Sequence, residues 1–130
     1  MDKNDLNERL RALGLYSEYY HRLELKPLAN MLQVDEKLLC ILTGVNEGRR
    51  RMLAVTDYRL IIIGAGAVTS GEVTTIKRSA VTAWKFDRRF LLSSVTVTAA
   101  GKDYEFRQTQ AARKELFEKA MGSAPRVFGD

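Results

Sequence analysis

The periodicity of the apolar residues changes twice along this chain of 130 residues, and the two changes constrain the fold more than any motif does. Leu6, Leu10 and Leu13 recur at spacings of four and three, the repeat of one helix face. Asn4 or Asp5 is placed to cap that helix and Gly14 to end it. Leu15, Tyr19 and Leu23 continue in helical register, with Tyr16 and Tyr20 alongside. Pro27 then suits the first turn of a third short helix carrying Leu28, Met31 and Leu32, because its missing N–H would be unpaired there anyway.

From Asp35 the period becomes that of strands. Seven are expected: Leu38 to Val45, Arg49 to Thr56, Tyr58 to Ile63, Val73 to Ile76, Val81 to Phe86, Leu91 to Thr98 and Tyr104 to Arg107. Asn46-Glu47-Gly48 and Ala100-Gly101 read as tight turns, Asp57 as another, and Asp87-Arg88-Arg89 as a hairpin tip; Gly64, Gly66, Ser70 and Gly71 mark a loop. The unbroken run Leu60-Ile61-Ile62-Ile63 predicts a strand covered on both faces. The helical period returns at Ala112, Leu116, Phe117, Ala120 and Met121, with Thr109 as the cap, Gly122 as the stop and Pro125 beyond it. Hairpins followed by one amphipathic helix fit a strongly bent sheet plugged at one end. The expected fold class is therefore mostly β (α+β): a roll of about seven antiparallel strands over residues 35–122, closed by a C-terminal helix at Ala111 to Met121. A helical arm, residues 1–34, precedes it and a tail, residues 123–130, follows it.

The residues Glu36-Lys37-Leu38-Leu39 and Leu53-Ala54-Val55-Thr56-Asp57-Tyr58-Arg59-Leu60-Ile61 resemble the YokE-like bacterial pleckstrin-homology (PH) domains. Members of that family carry an acidic residue before the first strand and a Thr-Asp-x-Arg-Leu signature at the second turn. Ile76 with Ser79-Ala80-Val81, and Thr96-Val97 with Gly101 and Phe106, are similar to more degenerate family segments; Arg78 departs from the small or aromatic residue expected there. The resemblance covers roughly residues 35–121. It implies two sheets closed by a helix, no catalytic residues, and frequent assembly into homo-oligomeric rings.

The chemistry-bearing residues are few. Cys40 is the single cysteine, so no internal disulfide is possible and the cytoplasm is the expected compartment. It lies mid-strand, where free cysteines are core residues. His21 is the single histidine and has no second ligand nearby, so neither a zinc site nor any other cofactor is expected. Gly64-Ala65-Gly66 lacks the third glycine and the Lys-Ser/Thr pair of a phosphate loop. No pair of carboxylates stands out for acid–base work, and no catalytic residue is assigned.

Charge is uneven. Residues 36–109 hold twelve basic and seven acidic groups, which accounts for the net charge of +5. Arg49, Arg50, Arg51, Lys77, Arg78, Arg88 and Arg89 are the candidate anion-binding residues, for a lipid headgroup or another polyanion. Lys37, Arg49 and Arg51 match the string with which eukaryotic PH domains hold phosphoinositides. Taking Arg49 opposite Val45, however, leaves Lys37 about 26 Å away along the strand. Trp84 and Phe86 alternate and share a face, which is expected to be core; an open face of interleaved aromatic and basic residues is hinted at only by Tyr104 and Arg107, so nucleic acid is disfavoured as a partner.

The expected function is that of a non-catalytic interaction module acting through homo-oligomerisation and protein partners, with anionic lipid as the alternative. Leu6, Leu10, Leu13, Tyr16, Tyr19, Tyr20 and Leu23 are the candidate self-association residues. Helices this short are marginal alone and must cover something. Two surfaces are candidates, an open side of the arm's own roll and a neighbouring subunit, and the neighbour is the one expected.

Overall fold

The computed structural model describes residues 1–64, 72–90 and 92–123. Three short helices lead: α1 (Lys3–Ala12), α2 (Tyr16–Tyr19) and α3 (Leu25–Met31). Strands β1 (Leu38–Asn46), β2 (Arg49–Thr56), β3 (Arg59–Gly64) and β4 (Val73–Lys77) form one antiparallel meander. Strands β5 (Val81–Asp87), β6 (Ser93–Ala99) and β7 (Lys102–Thr109) form a second. Helix α4 (Lys114–Gly122) closes the roll after a 3-10 turn at Ala111–Arg113.

The strand order is β4-β3-β2-β1-β7-β6-β5, and among the described residues the two meanders are paired in register at Val45 with Arg107. Gly44 permits that junction. A Cβ there would lie 2.8 Å from the Arg107 carbonyl oxygen and 2.8 Å from the Thr109 methyl, closer than real Cβ contacts come. Both tight turns are two-residue hairpins with left-handed backbone, at Glu47 (φ 52) with Gly48 (φ 78) and at Ala100 (φ 51) with Gly101 (φ 77). That is the hairpin turn whose twist matches the strands it joins.

Alternation along β2 and β3 splits their side chains between two cores. Leu53, Val55, Leu60 and Ile62 point into the roll, against Val95, Val97, Phe106 and Phe117. Met52, Ala54, Ile61 and Ile63 point outward, where Leu6, Leu10, Leu15, Tyr19, Leu25 and Leu28 of the arm cover them. The Leu60–Ile63 run is thus buried on both faces.

The arm therefore packs on an open side of its own roll, the other of its two candidate surfaces, rather than leaving its leucines free for a neighbour. Leu6, Leu10 and Tyr19 are buried there and Leu13 packs beside them, while Tyr16 is partly covered and Tyr20 and Leu23 stay exposed. Polar contacts fasten it. Arg9 Nε donates to the Leu38 carbonyl at 2.8 Å, Tyr19 Oη to Gln110 Oε1 at 2.9 Å, and Arg59 Nη2 to the Met31 carbonyl at 2.7 Å. Arg113 pairs with Glu18. Gln110 also accepts from the Thr43 N–H and donates to Thr43 Oγ1, so one amide ties the arm, β1 and the approach to α4.

Several local expectations shift. Asp2, rather than Asn4 or Asp5, caps α1, its side chain accepting the Asp5 N–H at 2.8 Å. Gly14 (φ 73) ends that helix as expected: its N–H reaches the Arg11 carbonyl, and the Leu15 N–H reaches that of Leu10. Leu23 leaves the helical face because α2 stops at Tyr19, and it is 70% exposed. Pro27 sits in the first turn of α3, as expected. Thr109 does not cap α4; it ends β7, buried, and the 3-10 turn separates it from the helix. Ala112 falls in that turn and is exposed, so the buried stripe is Phe117, Ala120 and Met121. Gly66, Ser70, Gly71, Leu91, Pro125 and residues 124–130 of the predicted tail lie outside the described residues.

Candidate functional site

The basic residues singled out from sequence do not form one surface. At the β1–β2 hairpin, Asn46 faces Arg49 and Val45 faces Arg50, one residue away from the pairing expected. Arg51 donates from Nη2 to Glu72 Oε1 at 2.6 Å and from Nη1 to Asn46 Oδ1 at 2.9 Å, and it also pairs with Glu47. Hydrogen bonding from Arg51 holds the Glu72 carboxyl below the usual carboxylate range, with burial a smaller opposing effect. Arg49 points at the same carboxylate, at 3.7 Å. Only Arg50 of the three is without an ion pair among the described residues. Lys37 lies past the far end of β1, where its backbone exchanges hydrogen bonds with Asp57. The cleft beside this hairpin, about 260 Å³, is lined by Glu47, Asp103 and Glu105 with Arg107, a setting that repels anions.

Arg78 is buried, at 6% exposure, which removes it from any anion-binding set. Its Nη2 donates to the carbonyls of Met121 (3.0 Å) and Ser123 (2.8 Å), and its Nη1 to Ser123 Oγ (3.2 Å). These are carbonyls that the end of α4 leaves without helical partners, and a cation there also meets the negative end of the helix dipole. The Arg78 side chain lines a cleft of about 430 Å³ with Trp84 and Met121, but both its terminal nitrogens are already engaged, by Met121, Ser123 and the Thr56 carbonyl.

The β5–β6 hairpin presents a different surface. Arg89 pairs with Asp87 at 3.0 Å, and Arg88 is exposed without an ion pair among the described residues. Next to them Phe90 is 98% exposed and Leu92 52%. Phe86 is buried as expected, but Trp84 is a correction: it stands at the rim, 36% exposed, its ring edge-on to Phe117 at 5.9 Å. Tyr104 is half-buried under Lys102, and Arg107 is exposed. Sequence reasoning read Arg88 and Arg89 but passed over Phe90 and Leu92; an aromatic residue within a turn segment was the available signal.

A third cleft, of about 200 Å³, opens where α1, the start of β1 and α4 meet. Arg9, Lys37 and Lys119 surround Leu13, Leu39 and Leu116. The three cations come from distant parts of the chain, so no local pattern could have announced them.

Cys40 lies in the inner core, where burial pushes its thiol up to about 12. His21 is exposed on the arm with its ring against Tyr20. Among the described residues no three His, Cys, Asp or Glu side chains are grouped as a metal would require. No helix among them is long and apolar enough to cross a membrane.

The Thr56-Asp57-Tyr58-Arg59 signature proves to be a brace. Thr56 Oγ1 accepts the N–H groups of Tyr58 and Arg59, which shapes the β2–β3 turn. Arg59 then forks onto the buried carboxylate of Glu36, which also accepts the Gln33 N–H. Burial alone would raise the Glu36 carboxyl, but the Arg59 hydrogen bonds, with help from Thr56 and Gln33, hold it below the usual range.

Two antiparallel meanders rolled together and closed by a C-terminal helix define a PH-like fold. The chain belongs to the bacterial PH domain family: the model described as "Bacterial PH domain" matches residues 32–121. Among solved structures it is similar to a DUF1696-family protein with a pleckstrin-homology domain from Shewanella loihica PV-4, at 16% identity and a TM-score of 0.45, over 93% of this chain and 98% of that one. No curated protein matches the chain.

Proposed function

We propose that this domain is a non-catalytic interaction module of the cytoplasm that assembles with copies of itself and docks protein partners. The observation that carries the reading is the apolar surface along β5 and its hairpin, where Trp84, Phe90 and Leu92 face solvent. Burying a side chain of that size stabilises by about 1.5–3 kcal/mol. Among the described residues no strand pairs with the outer edge of β5, so backbone donors and acceptors lie beside the apolar side chains. Lys85 in the middle of that strand discourages indiscriminate pairing. The burial of the arm's leucines moves the proposed contact from the arm to this edge.

The test is light scattering after size exclusion at tens of micromolar, on the wild type and on a Phe90→Asp, Leu92→Asp double variant. A wild-type mass of several chains that falls in the variant supports the reading. A monomer mass for the wild type ends the assembly claim.

One observation favours a second reading, in which the same hairpin meets an anionic lipid surface: Phe90 and Leu92 stand directly beside Arg88 and Arg89. Liposome sedimentation at low and physiological salt separates the two readings, because surface-charge attraction weakens as salt rises. No sedimentation with anionic vesicles at low salt removes the lipid reading.

A further inference from the structure

We propose that the cleft between α1, the start of β1 and α4 binds a short-chain acyl carboxylate. It combines two features that the two other clefts described above do not. Its rim carries Arg9, Lys37 and Lys119, and its lining holds no acidic side chain. Its floor is apolar, made by Leu13, Leu39 and Leu116.

The three cations are unspent. Arg9 uses Nε on the Leu38 carbonyl at 2.8 Å, which fixes its guanidinium at the mouth. The other guanidinium nitrogens have no carboxylate partner among the described residues. Lys37 is positioned through its backbone, whose N–H donates to Asp57 Oδ1 at 3.0 Å and whose carbonyl accepts the Asp57 N–H at 3.0 Å. Its side chain is left to the cleft. Lys119 makes no ion pair with any described residue, whereas Lys114, one turn earlier on α4, is paired with Glu118. Partial burial disfavours the charge on Arg9 and lowers its pKa, a cost that a bound anion would offset. A carboxylate would accept charge-assisted hydrogen bonds from these groups. Its alkyl chain would cover the leucines.

The volume limits the ligand. About 200 Å³ is small; pockets for drug-sized ligands begin at roughly 300 Å³. A bare anion would leave the apolar floor wet, and an uncharged chain would leave the cations unanswered. The site is separate from the β5–β6 hairpin, so this inference does not depend on the assembly reading.

Calorimetric titration of the full chain tests it, with hexanoate as the probe and butanoate, hexanol, hexylamine and inorganic phosphate as comparisons. Lys37 and Lys119 are exposed, so the Lys37→Gln, Lys119→Gln double variant keeps the fold. The expected result is one hexanoate per chain, no heat from hexanol or hexylamine, and weaker binding of butanoate by about fourfold per methylene removed. In the double variant hexanoate should bind about tenfold more weakly, in line with the loss of charge-assisted contacts. Absence of hexanoate binding, equal binding by the double variant, or phosphate binding as tightly as hexanoate would each overturn the proposal. So would a hexanoate affinity that falls as protein concentration rises, since the occupant would then be a second copy of the chain.

Discussion

Arg59 donates from Nε and Nη2 to the two carboxylate oxygens of Glu36, each at 2.8 Å. The Glu36 side chain is fully covered and that of Arg59 nearly so. The pair joins the β2–β3 turn to the segment that leaves α3, and the same guanidinium holds the Met31 carbonyl. Removing one partner strands the other, so Arg59→Ala should destabilise the fold by about 3 kcal/mol. Urea denaturation at neutral pH measures it.

The pair also predicts a pH dependence. Burial opposes the Glu36 charge, but hydrogen bonds from Arg59, Thr56 and Gln33 outweigh it and the folded-state pKa lies below the ordinary one. A depressed carboxylate adds stability that is full above the ordinary carboxylate range and is lost as pH falls through the folded value. Glu36→Gln should therefore be less stable than wild type at neutral pH, and the gap should close below about pH 4. A gap that stays constant down to acid pH would contradict the assignment.

Arg78 predicts a local failure. Without its guanidinium the carbonyls of Met121 and Ser123 lose their donors at the end of α4. Arg78→Met should cost about 1–3 kcal/mol per buried acceptor left unsatisfied. It should also raise the hydrogen-exchange rates of the last turn of α4 before those of β2 and β3. Anion binding by the intact protein should not depend on it.

Gly44→Ala should destabilise by about 1–3 kcal/mol, the usual cost of overpacking. The added methyl meets a backbone carbonyl of β7 rather than a yielding side-chain tip. Thermal melting would show the loss. An unchanged midpoint would mean that the two meanders can separate at this corner without cost.

Cys40 should resist alkylation in the native state. Its thiol is buried and raised to about 12, so little thiolate exists at neutral pH. Labelling by iodoacetamide should track global unfolding. Fast labelling under native conditions would contradict the core placement.

The architecture was legible where one residue type carries one backbone consequence. Leu60-Ile61-Ile62-Ile63 announced a strand covered twice, and Asn46-Glu47-Gly48 and Ala100-Gly101 announced their hairpins. Pro27 marked a first helical turn. What failed depends on where a long side chain ends. Arg78 reads as surface charge until α4 brings its carbonyls alongside, and Arg51 reads as free until Glu72 faces it. The arm's leucines had two candidate destinations, and only the packed sheet distinguishes them. The cleft that joins Arg9, Lys37 and Lys119 exists only after three distant segments meet.

The outer face of the first sheet is covered by a segment that precedes it in the chain. During synthesis Leu6, Leu10 and Leu15 emerge before Met52, Ile61 and Ile63, the surface they are to meet. Until β3 has left the ribosome these leucines can meet only Leu38 and Ile41 of β1 and Met52 and Ala54 of β2, and the rest of their greasy stripe is open to any holdase that patrols nascent chains. A ribosome that stalls between β1 and β3 would hold a chain whose α1 to α3 are made but have only part of the sheet they dock on.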